Sequence, residues 1–263
     1  MMDTNSLLRL VPPILRARDF RLYTRNGRRL VDLWQYGGAA ILGHTPAGLL
    51  RALKNTAERG LFAPLPHPQE QRFIKALAVL LPGMTFRLYR SDTALRCALP
   101  STPILWRPFL DTVLPPDRPL IPVLPLPWPD APRVLALPST LPEAAFPASE
   151  LLSPLTLAAA TRSVYDLIAA TPARGRVHYP RIEEALTKSV WKKQGIYLYC
   201  DAKVDDEIYT ETFKQFLEQG FLIPPAQDQP LILPGVLSAG EEAKLAECIT
   251  GSPGELEEAS PFF

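Results

Sequence analysis

The sequence predicts an α+β fold, in which short strands alternate with helices that have clear start and stop residues. Three observations indicate it: a hairpin signal near the start, two amphipathic helices after it, and an alternation of strands and helices in the last third. An apolar content of 47% is ample for a buried core in a chain of 263 residues. The chain is therefore expected to fold.

The first half of the chain predicts a hairpin, two helices and a strand. Apolar alternation on both sides of Asn26-Gly27 indicates a type I′ turn, in which both central residues need positive φ. A helix is expected with Thr45 as N-cap, Pro46 at its first position and Gly60 as its stop. A second helix over residues 68–81 and a strand over residues 86–89 follow.

The second half predicts helices first and then an alternation. Ser153 is the expected N-cap of a helix that runs to about residue 170. A further helix from Pro180 is expected to stop before Gly195, with Lys192 and Lys193 in its last turn. The predicted elements after it are a strand over 196–200, a helix over 206–219, short strands over 221–223 and 231–233, and a last helix over 238–248 with the capping-box pair Ser238 and Glu241.

Proline marks the region between the two halves. Half of the 30 prolines fall between Pro100 and Pro154. Because proline removes ladder donors and is excluded from helix interiors, this stretch is expected to run extended over the surface, with at most one short edge strand. The predicted organisation is an N-terminal segment over 1–98, a connector over 99–151 and a C-terminal segment over 152–263, with both ordered halves in one compact domain.

Charge and composition exclude several classes of protein. The net charge of +1 argues against a nucleic-acid partner. Arg9 and the Pro12-Pro13 pair interrupt the apolar run near the N-terminus, and no stretch is long enough to cross a bilayer, so no membrane partner is expected. Three cysteines without a CxxC pair argue against disulfides and a metal site. A reducing cytoplasm fits this pattern best.

The order and spacing of several motifs resemble a known family. Residues 25–33 (RNGRRLVDL), followed by 37–46 (GGAAILGHTP), resemble the amino-terminal hairpin and "LGH-x-x-P" segment of class III, fold-type I aminotransferases that use pyridoxal phosphate. Glutamate-1-semialdehyde aminomutases are the closest likeness within them. Residues 82–94 (PGMTFRLYRSDTA) resemble the strand and "SGTEA" phosphate loop of the family.

The likeness resumes in the second half. Residues 153–160 (SPLTLAAA) are similar to the "NPL-x-x-AAA" helix of the family, and 220–225 (GFLIPP) and 237–242 (LSAGEE) are similar to its final strand and helix. The resemblance covers roughly residues 16–98 and 152–250. It implies the small domain of such an enzyme, assembled from N- and C-terminal segments, with the proline-rich connector in place of the large cofactor-binding domain.

The resemblance implies chemistry that the chain lacks the residues to perform. Transamination needs a desolvated lysine to hold the cofactor aldehyde as an imine. No lysine occurs between Lys75 and Lys188, where the lysine of the family would lie. We therefore expect no catalytic residue and no bound cofactor. Pyridoxal phosphate is expected only if the chain is an active enzyme. Lys192 and Lys193 are expected to be solvated.

Five residues are candidates for binding. Ser91 and Thr93 match the phosphate loop, but Asp92 stands where the family has glycine, and its carboxylate would repel a phosphate. Helix capping, which Asp92 could provide, is favoured there over anion binding. Trp34 and Tyr36 lie where the resemblance places the start of the substrate-facing loop, and their simpler interpretation is packing in a core or an interface. His44 lies in the matching "GH-x-x-P" segment, and its simpler interpretation is a turn histidine ahead of the helix.

Three functions are compatible with the sequence. The leading one is a catalytically inactive protein that acts by binding, as a homo-oligomer such as a dimer or as a hetero-oligomer with a full-length aminotransferase relative. The second is an active aminotransferase or aminomutase that receives its lysine from another chain or an unexpected position. The third is a small-molecule binding module at the old cleft near Trp34, His44 and Ser91.

Overall fold

The chain forms two compact units. A computed structural model describes residues 4–97, 99, 103–110, 117–174, 177–200 and 205–251. The terminal unit combines both ends of the chain, Met1–Gly37 and Ala173–Phe263, and the central unit is Gly38–Pro172. The predicted connector, residues 99–151, therefore belongs to the central unit. That it replaced a larger domain stays a prediction.

The terminal unit is a mixed α/β structure with two small sheets. Its first sheet has the strand order β1-β2-β3-β10 and its second has the order β11-β9-β8. The first sheet joins both ends of the chain, because β10 pairs in parallel with β3. The elements of this unit are α1 (Thr4–Leu8), β1 (Ile14–Arg18), β2 (Arg21–Thr24), β3 (Arg29–Asp32), α6 (Pro180–Leu186), β8 (Trp191–Gln194), β9 (Tyr197–Cys200), α7 (Asp206–Glu218), β10 (Phe221–Leu222), β11 (Leu231–Ile232) and α8 (Ala239–Thr250).

The predicted N-terminal hairpin is confirmed, but its turn type was wrong. β2 and β3 pair antiparallel, with Leu22 opposite Leu30. Only Gly27 in the turn has positive φ, at 78°, so a type I′ turn is excluded. The side chain of Asn26 is used instead to accept a hydrogen bond from the hydroxyl of Thr24. The strand β1, which the sequence analysis missed, pairs antiparallel with β2 and forms the edge of the sheet.

The region around Lys192 was predicted wrongly. The helix that starts at Pro180 ends at Leu186, and residues Trp191–Gln194 form the strand β8. β8 pairs antiparallel with β9 across a turn at Gly195, whose φ is 60°. Lys192 and Lys193 therefore lie on a hairpin strand and not in the last turn of a helix.

The central unit is built on a mixed four-stranded sheet with the order β4-β7-β6-β5. Only β5 and β6 run parallel, and β7 pairs antiparallel with both of its neighbours. The elements are α2 (Ala47–Ala57), α3 (Gln69–Leu80), β4 (Met84–Tyr89), α4 (Asp92–Cys97), β5 (Ile104–Trp106), β6 (Leu120–Pro122), β7 (Arg133–Pro138), a 3-10 helix (Glu143–Ala145) and α5 (Pro154–Arg174), whose last two residues belong to the terminal unit.

The proline-rich stretch does not simply run over the surface. It contributes β5, β6 and β7, and every residue of β7 after Arg133 is buried. Two of its prolines, Pro122 and Pro138, are the last residues of their strands, where a missing N–H removes no central ladder bond. The prolines therefore delimit strands that pack into the core, and the prediction of a surface-exposed stretch was wrong.

Helix ends follow the predicted capping residues in most places. Ser153 accepts a hydrogen bond from the N–H of Thr156 at 3.1 Å and so caps α5. Ser238 and Glu241 form the predicted capping box of α8. α2 is one exception, because its N-cap is Pro46 without a side-chain cap, and Thr45 lies one position outside. No helix among the described residues is long and apolar enough to cross a membrane.

Each unit has its own buried side chains. In the central unit, Phe73 and Leu77 of α3 pack with Leu88 of β4 and Val164 of α5, and all four are fully buried. In the terminal unit, Tyr197, Phe213, Phe216 and Phe221 are among the largest fully buried side chains. Both units can therefore hold side chains in fixed positions.

Candidate functional site

A strained turn follows β3 in the terminal unit. The carboxylate of Asp32, which is 1% exposed, accepts hydrogen bonds from the backbone N–H of Trp34 at 3.0 Å and of Gln35 at 2.8 Å. Gln35 and Tyr36 both have positive φ, 49° and 51°, and glycines continue the turn at 37 and 38. Left-handed backbone in residues other than glycine costs roughly 1–3 kcal/mol each and clusters at functional sites.

The turn presents an aromatic pair. The rings of Trp34 and Tyr36 meet edge to face, with centroids 5.4 Å apart. The indole N–H of Trp34 donates to the Gln229 side-chain oxygen at 3.0 Å, and the fully buried Gln35 donates its amide to the Ile232 carbonyl at 2.9 Å. Tyr36 remains 41% exposed. The structure therefore brings Trp34 and Tyr36 together, as a fixed aromatic surface that is open to solvent on one side.

His44 belongs to the central unit and lies in a turn. It is half-buried and follows Gly43, whose φ is 90°, and α2 begins three residues later at Ala47. This is the place that the simpler interpretation gave it. The relation of His44 to the aromatic pair stays a prediction.

Ser91 and Thr93 stand at the start of α4, also in the central unit, and both are exposed. The hydroxyl of Ser91 accepts a hydrogen bond from the N–H of Ala94 at 3.1 Å, so Ser91 caps the helix. Asp92, the expected capping residue, makes an ion pair with Arg133 instead, at 2.8 Å. The capping interpretation of this loop therefore holds with Ser91, and not Asp92, as the cap.

The lysines of the described chain are exposed or paired with carboxylates. Lys193 is the least exposed by side chain among those in ion pairs, at 25%, and its Nζ lies 2.5 Å from Glu183. The hydrogen bond from Lys193 holds the pKa of Glu183 below its ordinary value. The others are Lys54, Lys75, Lys188, Lys192, Lys214 and Lys244, of which Lys54, Lys188 and Lys214 also lie within 4 Å of a glutamate. Lys203 lies outside the described residues.

These residues do not fit pyridoxal phosphate. A Schiff-base lysine has to be desolvated, and none of the described lysines is buried. The loop that matches the phosphate loop presents the Asp92 carboxylate, and the helix behind it has only six residues. Among the described residues, no three His, Cys, Asp or Glu side chains are grouped to hold a metal ion.

The sequence analysis missed four residues of these sites. Asp32 and Gln35 give only weak signals in the sequence. Asp32 is a polar residue at the end of a strand, and Gln35 is a polar residue in the turn that follows. Gln229 gives none, because it lies 195 residues from Trp34. Arg133 pairs with Asp92 across 41 residues and is equally invisible to local patterns.

Solved structures with the same fold were found over nearly the whole chain. The ornithine aminotransferase of Plasmodium yoelii is similar with a TM-score of 0.70 and 10% identity, over 94% of this chain and 97% of that one. An acetylornithine aminotransferase and an omega-transaminase are similar in the same way. At such identities the likeness shows the fold alone.

The sequence comparisons are less informative than the structural ones. No family model matches the chain. An uncharacterised protein of Treponema pallidum is 26% identical over 284 aligned residues, which span 87% of this chain and 91% of that protein. The glutamate-1-semialdehyde 2,1-aminomutase of Aquifex aeolicus is 30% identical over 71 residues, 27% of this chain and 17% of the enzyme. Fold and sequence agree on one architecture: the chain has the fold of class III, fold-type I pyridoxal-phosphate aminotransferases.

Proposed function

We propose that this chain is a catalytically inactive protein with an aminotransferase fold, which acts by binding another protein chain. The observation that carries the proposal is the state of the lysines: none occurs between Lys75 and Lys188, and the described ones are exposed or paired with carboxylates. A lysine that forms an imine with the cofactor has to be desolvated, and none of the described lysines is buried. Among the described residues, the cofactor reaction therefore lacks its nucleophile.

Reduction with borohydride tests the inactive state. Purified protein is incubated with pyridoxal phosphate, reduced, digested and analysed by mass spectrometry, with a competent ornithine aminotransferase as positive control. We expect no single lysine to carry a stoichiometric pyridoxyl group, because solvated lysines react weakly and without selectivity. A complete adduct on one lysine, including Lys203, would establish the enzyme reading in its place.

The binding part of the proposal is supported by exposed apolar side chains in the central unit. Leu50 is 71% exposed, Phe62 57% and Leu65 62%, and α3 adds Val79 at 59%. Grouped apolar side chains in water mark interaction surfaces, and Phe62 and Leu65 are three residues apart in the chain. We propose as partners a second copy of the chain, in a dimer, or a full-length aminotransferase relative, and we place the protein in the cytoplasm.

Co-purification tests the partner. The chain, tagged and expressed from its own gene, is recovered from native lysate and its mass measured by sedimentation. We expect a dimer or a complex with an aminotransferase relative, which dissociates when Phe62→Ser and Leu65→Ser are combined. The matched control is Tyr165→Ser, an exposed aromatic on α5. Recovery of the wild-type chain as a monomer alone removes the partner from the proposal.

Small-molecule binding at the aromatic pair is the second candidate, and the strained turn favours it. Two residues other than glycine are held left-handed at Gln35 and Tyr36, and Tyr36 is exposed. A ligand that binds only the folded chain raises the melting temperature with its concentration. We expect a screen of small metabolites to give such a rise without a chromophore, and Tyr36→Ala to abolish it. A rise that survives Tyr36→Ala places the ligand elsewhere.

A further inference from the structure

One face of the N-terminal sheet is lined by arginines. Residues directly opposite each other on antiparallel strands project from the same face. The register pairs Arg16 with Tyr23, Arg18 with Arg21, and Tyr23 with Arg29. These five residues, which we name the arginine face, therefore share one side of the sheet. The other side carries the buried residues Leu22, Thr24 and Leu30.

The arginine face carries more positive charge than the carboxylates of the described residues neutralise. Asp19 is the only acidic residue between positions 9 and 29 of the sequence. It lies 3.7 Å from Arg18, where both side chains are exposed. Within the described residues no carboxylate pairs with Arg16, whose guanidinium instead stacks 4.2 Å from the centre of the Tyr23 ring. A chain with a net charge of +1 thus concentrates cations on one surface.

One carboxylate of the same chain already contacts this face. Glu241 of α8 accepts hydrogen bonds from Nε and Nη2 of Arg21 at 3.0 and 2.6 Å, and Arg29 lies 3.3 Å away. The planar guanidinium group matches the two oxygens of a carboxylate. A cavity of about 290 Å³ beside this pair is lined by Arg29, Glu241 and Lys244, among others. Lys244 also has no carboxylate partner in the described part of the chain.

The edge strand β1 adds a second means of binding. β1 ends the sheet, so one row of its backbone N–H and C=O groups faces away from β2. Such an edge can pair with an extended segment of another chain. Ile14 and Leu15 on this strand are 38% and 70% exposed. Pairing with the same strand of a second copy, centred on Arg16, would place two arginines opposite each other, which is repulsive.

We propose that the arginine face and the free edge of β1 bind an extended acidic segment of a partner protein. The segment pairs with the backbone of β1 and alternates in side-chain direction, so that every second residue meets the arginines. Carboxylates at these positions are bound as Glu241 is bound by Arg21. The inference rests on the binding function proposed above, to which it adds a second surface, in the terminal unit, and a class of partner segment.

A peptide-binding measurement tests the proposal. The probe is a fluorescein-labelled peptide of alternating glutamate and valine, and its binding is followed by fluorescence anisotropy. We expect the combined Arg16→Gln and Arg18→Gln variant to bind about tenfold more weakly, and wild-type binding to weaken as sodium chloride is raised. The control removes equal charge from exposed helix positions in the central unit, Arg51→Gln with Arg72→Gln, and should change the affinity less than about twofold.

Other outcomes overturn it. Equal losses in the two double variants would mean that only overall charge matters. Oligothymidine or phosphatidylserine vesicles that bind as tightly as the peptide would assign the face to nucleic acid or lipid instead. Full co-purification of a partner with the Arg16→Gln, Arg18→Gln variant removes this surface but leaves the binding function intact. A pyridoxyl adduct on one lysine would contradict the proposal that the chain is inactive, but it would not contradict the proposed binding at the arginine face.

Discussion

Replacing Glu241 with glutamine is expected to lower the free energy of unfolding by about 2–3 kcal/mol at pH 7. The side chain is only 11% exposed and meets Arg21 and Arg29 at 2.6 and 3.3 Å. It also accepts a hydrogen bond from the N–H of Ser238 at 2.8 Å, which an amide oxygen can still accept. The loss therefore comes from the charge: Arg21, 17% exposed, is left without its counterion.

The difference in unfolding free energy between wild type and the Glu241→Gln variant should decrease as the pH falls. Burial alone raises the pKa of Glu241, but hydrogen bonds from Arg21 and Ser238 outweigh it and hold the pKa at about 2, against an ordinary value of 4.5. A carboxyl group whose pKa is lowered on folding stabilises the fold above its unfolded pKa and stops doing so as the pH falls through its folded pKa. The difference between wild type and variant should thus be complete above 4.5 and shrink toward 2.

Urea unfolding at several pH values measures this effect. The control is Glu242→Gln, the next residue of α8, whose carboxylate accepts a hydrogen bond from the N–H of Arg181 near the surface, its one hydrogen-bond donor among the described residues. We expect less than about 1 kcal/mol from the control at every pH. Equal losses in the two variants, or a Glu241→Gln loss that does not change between pH 7 and pH 3, would contradict a stabilising ion pair at this position.

Phe73→Ala should destabilise the chain by about 3–5 kcal/mol. Phe73 is 0% exposed and packs in the core of the central unit, where Leu77, Leu88 and Val164 are equally buried. Removing the ring loses its transfer free energy and leaves a cavity that a sheet-and-helix core cannot fill by relaxation. In a domain of ordinary stability this loss is a large fraction of the total.

Calorimetry and urea unfolding give the size of the effect. Val79→Ala is the matched control, because it lies on the same helix and is 59% exposed. Its expected cost is below about 0.5 kcal/mol. If both variants lose the same stability, α3 does not pack with the face that the structure assigns to it. A small loss from Phe73→Ala alone would mean that the central unit lacks a close-packed core.

Local signals predicted the parts of the fold that local residues determine. The hairpin between β2 and β3 and the capping box of α8 depend on residues within a few positions of each other, Asn26 with Gly27 and Ser238 with Glu241. Even in this hairpin, local signals did not predict which turn residues have positive φ, and this determines the turn type. The structure uses Gly27 alone, and no sequence rule distinguishes the two turns at that position.

Strands in the proline-rich stretch were missed because composition outweighed pattern. Residues Arg133–Pro138 form a buried strand between two neighbours, although prolines stand at 132 and 138. The proline at 138 ends the strand and does not prevent it. In β8, two lysines and a glutamine were read as the end of a helix, because the hairpin that pairs them with β9 depends on a turn at Gly195.

The sequence predicted several residues of the candidate sites, but it did not predict which distant residues hold them in place. Trp34 and Tyr36 do lie together, because they are two positions apart in one turn. The partners that fix them come from distant segments, Gln229 for Trp34 and Ile232 for Gln35. Asp92 was recognised as unsuitable for a phosphate, but its ion pair with Arg133 depends on β4 and β7 being neighbours.

Because Asp92 forms an ion pair with Arg133, its carboxylate competes with any external anion for the Arg133 guanidinium. Nε of Arg133 lies 2.8 Å from Oδ1 of Asp92, and Nη2 donates a hydrogen bond to Oδ2 at 3.2 Å. A group tethered in the same chain competes at an effective concentration in the millimolar range or above. Any phosphate-bearing metabolite at lower concentration must displace it. Mutating Asp92 to glycine would therefore free a cation at the start of α4 that the present sequence keeps occupied.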